Sequence, residues 1–301
     1  MMPLFKWEDI EEDFITPSHS ISKGRTIMGH RVGIQRILHT PGGGAKTHSH
    51  AEQQLFISLK GKMRVRGGNE WFEMEDGDLV LMHPYEEMEE ITDAEFLWLN
   101  IKDRIPGYSW YDHSWIPGSK EDWRQVESIL NGMDQKYEER TSFLTYKYSG
   151  LYKWDEIEET LIAPYCSRSK GRTIMGQRLG VQRILHHEDR GDGHAGAKSH
   201  SHPEEQIFIA LKGNMKIREG DNWYTMEEGD IFFMPPYVEH EEMCEEEFLF
   251  LSFKNRIPGH SWFDNSWSPG AEDEWKKAET ILAEMEKYKE KTRLIQPYWY
   301  E

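Results

Sequence analysis

The feature that most constrains the fold of this chain is an internal repeat that spans a whole domain. Residues 23–29 read KGRTIMG and return unchanged as residues 170–176, at an offset of 147. The second copy then carries five extra residues, so that RIPG at 104–107 returns at 256–259. A period of this length indicates duplicated domains rather than a solenoid of short repeats. The sequence therefore predicts an N-terminal domain over residues 1–150 and a C-terminal domain over residues 151–301.

The charge balance of the chain argues against negatively charged macromolecular partners. The 301 residues include 36 Lys and Arg against 54 Asp and Glu, which gives a formal net charge of −18. Nucleic acids and anionic membrane surfaces both select for basic proteins, so neither is expected as a partner. We expect a small-molecule substrate instead. The chain also lacks a signal-like N-terminus and an apolar run of about 20 residues, and it has two cysteines. We therefore expect a soluble, cytoplasmic protein.

Each copy has the pattern of a small β-domain that is followed by one helix. Segments such as 54–60 and 79–82 are short and rich in β-forming residues, and Gly-containing turns separate them. Many short strands with glycine turns favour a sandwich or a barrel. Near the end of each copy, apolar residues follow helical spacing. These stripes are Trp123, Val126, Ile129, Leu130 and Met133 in the first copy, and Trp275, Ala278, Ile281, Leu282 and Met285 in the second.

The second copy contains a set of side chains that is suited to a metal ion. Alternation along a strand places His200, His202 and Gln206 on one face. His240 follows the Gly229-Asp230 turn and can bring a third imidazole to the same place. Imidazole nitrogens with one oxygen donor suit transition metals better than Ca or Mg. We expect one divalent transition metal, namely Mn, Fe, Ni or Zn, at these four residues.

These motifs resemble those of the cupin superfamily. Its first motif has the form G-x5-H-x-H-x3–4-E-x6-G and its second the form G-x5-P-x-G-x2-H, and the resemblance covers about residues 24–102 and 171–254. It implies two double-stranded β-helix (jelly-roll) barrels in tandem, an all-β fold with a C-terminal α-helix after each barrel. Gln206 stands where most cupins carry Glu, and Tyr237 replaces the usual Gly of the second motif.

The first copy has a degenerate form of the same site. His48, His50 and Gln54 repeat the spacing of the first three donors, but Met88 stands where the second copy has His240. Three donors fall short of the four that tightly held metals normally collect. The comparison predicts about one metal per chain, bound in the second barrel.

Four further residues are candidates for roles beside the metal. Lys198 has the strand parity of His200 and is a candidate catalytic residue. Arg172, Arg183 and Tyr237 are candidates for substrate binding.

Three functions fit these observations. A neutral donor set leaves a divalent ion strongly electrophilic, which favours Lewis-acid lyase or isomerase chemistry on a small oxygenated organic substrate. An Fe(II) dioxygenase that cleaves a ring or a C–C bond is the first alternative, and a non-catalytic ligand-binding cupin is the second. Association through exposed barrel edges makes a homodimer one candidate assembly.

Overall fold

The computed structural model describes residues 3–137, 149–187 and 195–288. It confirms the predicted fold class, because two similar all-β halves are each followed by a single α-helix. The first half contains β1 (Leu4–Phe5), β2 (Glu12–Phe14), β3 (Lys23–Met28), β4 (Val32–His39), β5 (Gly44–His48), β6 (Gln54–Lys60), β7 (Met63–Gly67), β8 (Glu70–Met74), β9 (Leu79–Met82), β10 (Met88–Ile91), β11 (Phe96–Asp103) and α1 (Ser119–Lys136).

The second half repeats this order and adds a two-stranded ribbon before its helix. Its elements are β12 (Gly150–Tyr152), β13 (Thr160–Leu161), β14 (Lys170–Met175), β15 (Leu179–His186), β16 (Gly196–His200), β17 (Gln206–Lys212), β18 (Asn214–Glu219), β19 (Asn222–Glu227), β20 (Ile231–Met234), β21 (His240–Met243), β22 (Phe248–Asn255), β23 (His260–Ser261), β24 (Ser266–Trp267) and α2 (Ala271–Met285). One-turn 3-10 helices at Trp7–Asp9 and Trp154–Glu156 follow the first strand of each half.

Each barrel is made of one large and one small antiparallel sheet. The large sheets have seven strands, in the orders β12-β9-β6-β11-β4-β3-β2 and β1-β20-β17-β22-β15-β14-β13. The small sheets have four strands, in the orders β5-β10-β7-β8 and β16-β21-β18-β19. Strand alternation sends one set of side chains from each large sheet into its own barrel and the other set outward.

The two halves exchange their first strands. β1 pairs with β20 of the second barrel, and β12 pairs with β9 of the first. In space, therefore, each barrel includes a short strand that the other half supplies. The exchange joins the two domains more closely than their separation in sequence suggests.

The outward faces of the two large sheets form a shared apolar core. One cluster of buried residues takes Ile34, Leu55 and Leu99 from the first half and Val181 and Ile207 from the second, among others. The apolar stripes of α1 and α2 pack together in another buried cluster, which also contains Ile105 and Ile257. Neither of these two helices is long and apolar enough to cross a membrane, within the described residues.

Two equivalent side chains reach across this interface and cap backbone of the opposite barrel. The buried carboxylate of Glu205 accepts hydrogen bonds from the N–H groups of His30, Arg31 and Val32 at 2.7–2.9 Å. Gln53, at the equivalent position, accepts from the N–H groups of residues 178 and 179 at 2.7 and 3.0 Å. Buried N–H groups are costly to leave unpaired, so these contacts hold the two barrels in register.

We predict that Glu205→Ala lowers the free energy of unfolding by on the order of 3 kcal/mol, because it leaves three buried N–H groups without an acceptor. Glu205→Gln is the matched control, since the side-chain amide oxygen of Gln53 accepts equivalent hydrogen bonds in the other half. The free energy of unfolding should fall much less in the glutamine variant. Chemical denaturation followed by circular dichroism measures both, and equal losses would show that the cap contributes little.

Candidate metal centre

Three imidazoles of the second barrel converge on one point. His200 ends β16, His202 lies just beyond it, and His240 begins β21, where its backbone pairs with that of His200. One ring nitrogen from each histidine lies within 4.8 Å of one from each of the others. Among the described residues, this triad therefore has donor spacing that a single ion can bridge.

Backbone carbonyls determine which nitrogen each ring presents. The Nδ1 atoms of His200, His202 and His240 lie 2.8, 3.0 and 2.9 Å from the carbonyl oxygens of residues 198, 204 and 238. A carbonyl can only accept, so each Nδ1 carries the proton and each Nε2 keeps its lone pair. Burial lowers the pKa of all three rings, that of His240 to about 3. The rings are therefore neutral ligands near pH 7.

The donor set fits a transition metal. Among the described residues, the buried Nε2 atom of His240 has no hydrogen-bond partner, and such groups are rare in native proteins. The Oε1 atom of Gln206 lies 2.8 Å from Nε2 of His202, while its amide nitrogen donates to Ser252. Two acceptors that face each other in this way are satisfied by a shared cation. Three imidazoles and one amide oxygen suit Mn, Fe, Ni or Zn.

A buried carboxylate that the sequence analysis did not single out supports the ligands. Glu204 lies with Oε2 3.5 Å from Nδ1 of His202 and Oε1 2.7 Å from Nδ1 of His260. Carboxylates behind metal-binding histidines orient the rings and raise their basicity. The signal for Glu204 was present in the sequence, since it shares strand parity with His202 and Gln206.

The barrel interior also holds a second group of buried charges. Burial raises the pKa of Glu242, but the hydrogen bond from His186, at 2.7 Å, and the electrostatic effects of His186, His200 and His240 together outweigh burial and bring that pKa to about 2. Lys254 is buried on the inward face of β22, and burial lowers its pKa while Glu204 and Glu242 oppose that shift. Its charge contributes to the lowered pKa of all three ligand rings. A lysine within a strand that is largely apolar was the available signal.

The expectation for Lys198 requires correction. Its side chain is exposed, and the residue contributes only its backbone to the site. The pairing register of β16 with β21 shifts between Ala197 and His200. This irregularity breaks the alternation on which the prediction relied.

The side chains of the three predicted substrate-binding residues also point away from the triad, although the backbone N–H of Tyr237 donates to the carbonyl of His202. Arg172 and Arg183 are paired across β14 and β15, on the face opposite to the inward-facing Ile184. Arg172 donates to the carbonyl of Ile157 instead. Tyr237 has a positive φ of 64° and is 52% exposed, with its hydroxyl bonded to Glu279 of α2. Strand parity and backbone conformation therefore turn all three side chains outward.

The first barrel keeps the predicted part of the degenerate site. His50 lies with Nε2 2.5 Å from Oε1 of Gln54, and His48 directs Nδ1 to the carbonyl of residue 46. Met88 is fully buried in the apolar cluster of this barrel, together with Val65 and others. It therefore fills the position of the third ligand with an apolar side chain.

A family model described as a cupin domain matches residues 36–98 and 190–251, one segment in each half of the chain, so each barrel is similar to a cupin domain. Gentisate 1,2-dioxygenase 1 of Aquipseudomonas alcaligenes is 22% identical over 250 residues, which is 75% of this chain and 70% of that protein.

Solved structures agree with this fold. The oxalate decarboxylase of Lactobacillus farciminis, in complex with formate, has a TM-score of 0.58 at 12% identity and covers 89% of this chain and 88% of its own. The Bacillus subtilis oxalate decarboxylase, studied for its Mn(II) centres, has a TM-score of 0.54 at 14% identity, with 88% and 78% covered. The family match, the dioxygenase and the histidine triad together support a metal-dependent cupin enzyme.

We predict that His240→Met removes about one equivalent of metal per chain and leaves the fold intact. Methionine is the residue at the equivalent position 88, where this backbone accommodates it fully buried. Metal analysis by mass spectrometry after dialysis measures the loss, and thermal unfolding checks the fold. Unchanged metal content in a folded variant would exclude His240 as a ligand.

Proposed function

We propose that the chain is a metal-dependent dioxygenase that cleaves a C–C or ring bond in a small, oxygenated organic acid at the second barrel. The observation that carries the metal-binding part of the proposal is the convergence of three neutral imidazoles, with no carboxylate among them. The choice of oxygen chemistry rests on the likeness to a dioxygenase. Neutral donors leave the full positive charge of a divalent ion available to an anionic, chelating substrate. When bound, an Fe(II) ion would supply Lewis-acid polarisation and access to dioxygen.

In this reaction, the residues of the chain would bind the metal and orient the substrate. His200, His202 and His240 come from one side, which leaves positions on the other side for substrate oxygens. Glu204 holds the ring of His202, and Lys254 adds a buried positive charge that favours an anionic ligand. Likeness to a dioxygenase across 75% of the chain is what supports oxygen chemistry over other reactions of this site.

Lewis-acid lyase or isomerase chemistry is the second candidate, because the same neutral donor set supports it without a redox step. The structural likeness to the formate complex of an oxalate decarboxylase gives a concrete model of such a reaction in this fold. A non-catalytic binding protein is the third, and it would show binding without turnover.

We expect protein loaded anaerobically with Fe(II) to consume one O2 for each molecule of a dihydroxybenzoic or other small hydroxylated acid, with both atoms of 18O2 in the product. An oxygen electrode and mass spectrometry of the products measure this, with His240→Met as the inactive control. Equal turnover under argon, with an isomerised or decarboxylated product, would favour the second candidate. Binding without any turnover would leave only the third.

We predict that Lys254→Met raises KM for an anionic substrate by about 10- to 100-fold, which is the worth of one charge-assisted hydrogen bond. The effect on kcat should be smaller, because a charge that binds substrate and transition state equally acts on KM. Lys102→Met is the matched control, since Lys102 is the equivalent buried lysine of the first barrel. Equal KM values in the two variants would remove Lys254 from substrate binding.

A further inference from the structure

The first barrel contains a cluster of histidines that the sequence repeat does not predict. His113, in the segment between β11 and α1, lies with its ring centroid 5.3 Å from that of His48 and 5.4 Å from that of His50. His19 stacks against both His48 and His113, at 5.0 and 5.1 Å. Four imidazoles therefore meet beside the place that the missing third ligand would occupy.

The two barrel histidines of this cluster are held as in the intact centre. The ring centroids of His48 and His50 are 5.8 Å apart, the same separation as in the second barrel. Their Nδ1 atoms lie 2.7 and 3.1 Å from the carbonyl oxygens of residues 46 and 52. Each ring therefore presents Nε2 toward the interior, and Gln54 adds its amide oxygen at His50.

His113 has the features of an unused ligand. Both of its ring nitrogens are buried, and neither has a hydrogen-bond partner among the described residues. A buried polar group without a partner normally costs free energy, so a ring left in this state indicates something that satisfies it. His113 also has a positive φ of 55°, a conformation that holds it on the barrel side of its turn at some cost in strain.

The second copy lacks these two extra histidines. Asn265 stands at the position of His113, with nearly the same φ of 53°, and donates to the carbonyl of Ser201. Cys166 stands at the position of His19. The first copy, which has Met88 at the position of His240, thus has two other histidines, His19 and His113. The second copy has His240 and neither of the other two.

We propose that the first barrel is a second transition-metal centre, in which His48, His50 and His113 are the imidazole ligands and Gln54 the oxygen donor. His19 packs against the ligand rings from the outer side. The site lies in the other barrel and is independent of the proposed dioxygenase activity. A set of neutral nitrogen donors selects Zn, Co, Ni or Cu over Ca or Mg.

Binding requires one adjustment of the side chains. In the structure the rings of His19, His48 and His113 are nearly parallel, with interplanar angles of 15–19°, and their nitrogens do not converge as those of the second barrel do. A turn of His113 about its side-chain torsions brings a nitrogen toward the barrel pair. His113 lies in a turn and is half-buried as a whole residue, so the metal has to offset the cost of this rotation.

The adjoining space suggests what this metal would do. A polar cavity of about 20 Å³, lined in part by His48, Gln54, Glu90 and Lys102, adjoins the cluster. That volume holds about one water molecule and no organic substrate. On the side of this cavity, the second metal would therefore meet solvent rather than an organic substrate.

The test separates the two centres within the full-length chain. In His240→Met protein, which lacks the third ligand of the second barrel, titration with Co(II) should give one equivalent of bound metal with visible absorption bands of nitrogen-ligated cobalt. Adding His113→Asn should weaken this binding by more than about 100-fold. Loss of a residue that only hydrogen-bonds to a ligand typically weakens metal binding by about 10- to 100-fold. Asparagine is the residue that the second copy carries in the same backbone conformation, so the fold should persist.

His30→Asn is the matched control, because it removes a half-buried histidine outside the cluster and should leave the affinity for Co(II) unchanged. If folded His240→Met binds no cobalt, or the double variant binds it as tightly, the first barrel is not a metal centre. Neither result bears on turnover at the second barrel, which the single variant His113→Asn should retain.

Discussion

The structure depends on hydrogen bonds in which a buried side chain of each barrel accepts from backbone N–H groups of the other barrel. Glu205 makes them on one side, with three N–H groups of residues 30–32 on a buried carboxylate, and Gln53 makes them on the other. Glu205 lies between Glu204 and Gln206, whose side chains face the metal centre. Because alternate residues of this short segment serve the interface and the site, the packing of the two barrels also holds the ligands in place.

Much of this arrangement follows from the sequence. The 150-residue repeat and the glycine turns predict two all-β domains, and the structure confirms the fold class. Strand alternation is sufficient to bring His200, His202 and Gln206 together, because one strand and its approach carry all three. His240 comes from a different strand, but the turn at Gly229-Asp230 makes β20 and β21 follow at a regular spacing. Local rules therefore account for the placement of all four candidate ligands.

The remaining features depend on contacts that are distant in sequence or on local departures from regular structure. The irregular register in β16 exposes Lys198, and a single-residue pattern cannot reveal where such a shift falls. The exchange of β1 and β12 depends on the packing of two whole sheets. His113 reaches the first barrel from a turn more than sixty residues beyond His50, with a positive φ that no periodicity predicts.

The charge of the chain imposes a last constraint on how a substrate is recognised. At a net charge of −18, the protein as a whole would repel the anionic substrate that we propose for it. Salt screens that repulsion beyond about 8 Å at physiological ionic strength, so it slows encounter more than it weakens binding. Affinity must then come from charges inside the barrel, where screening is weak. Under the proposed function, Lys254 and a bound metal would supply positive charge there. Glu204 and Glu242 limit the field of the lysine, so the metal would be the main attraction for an anion.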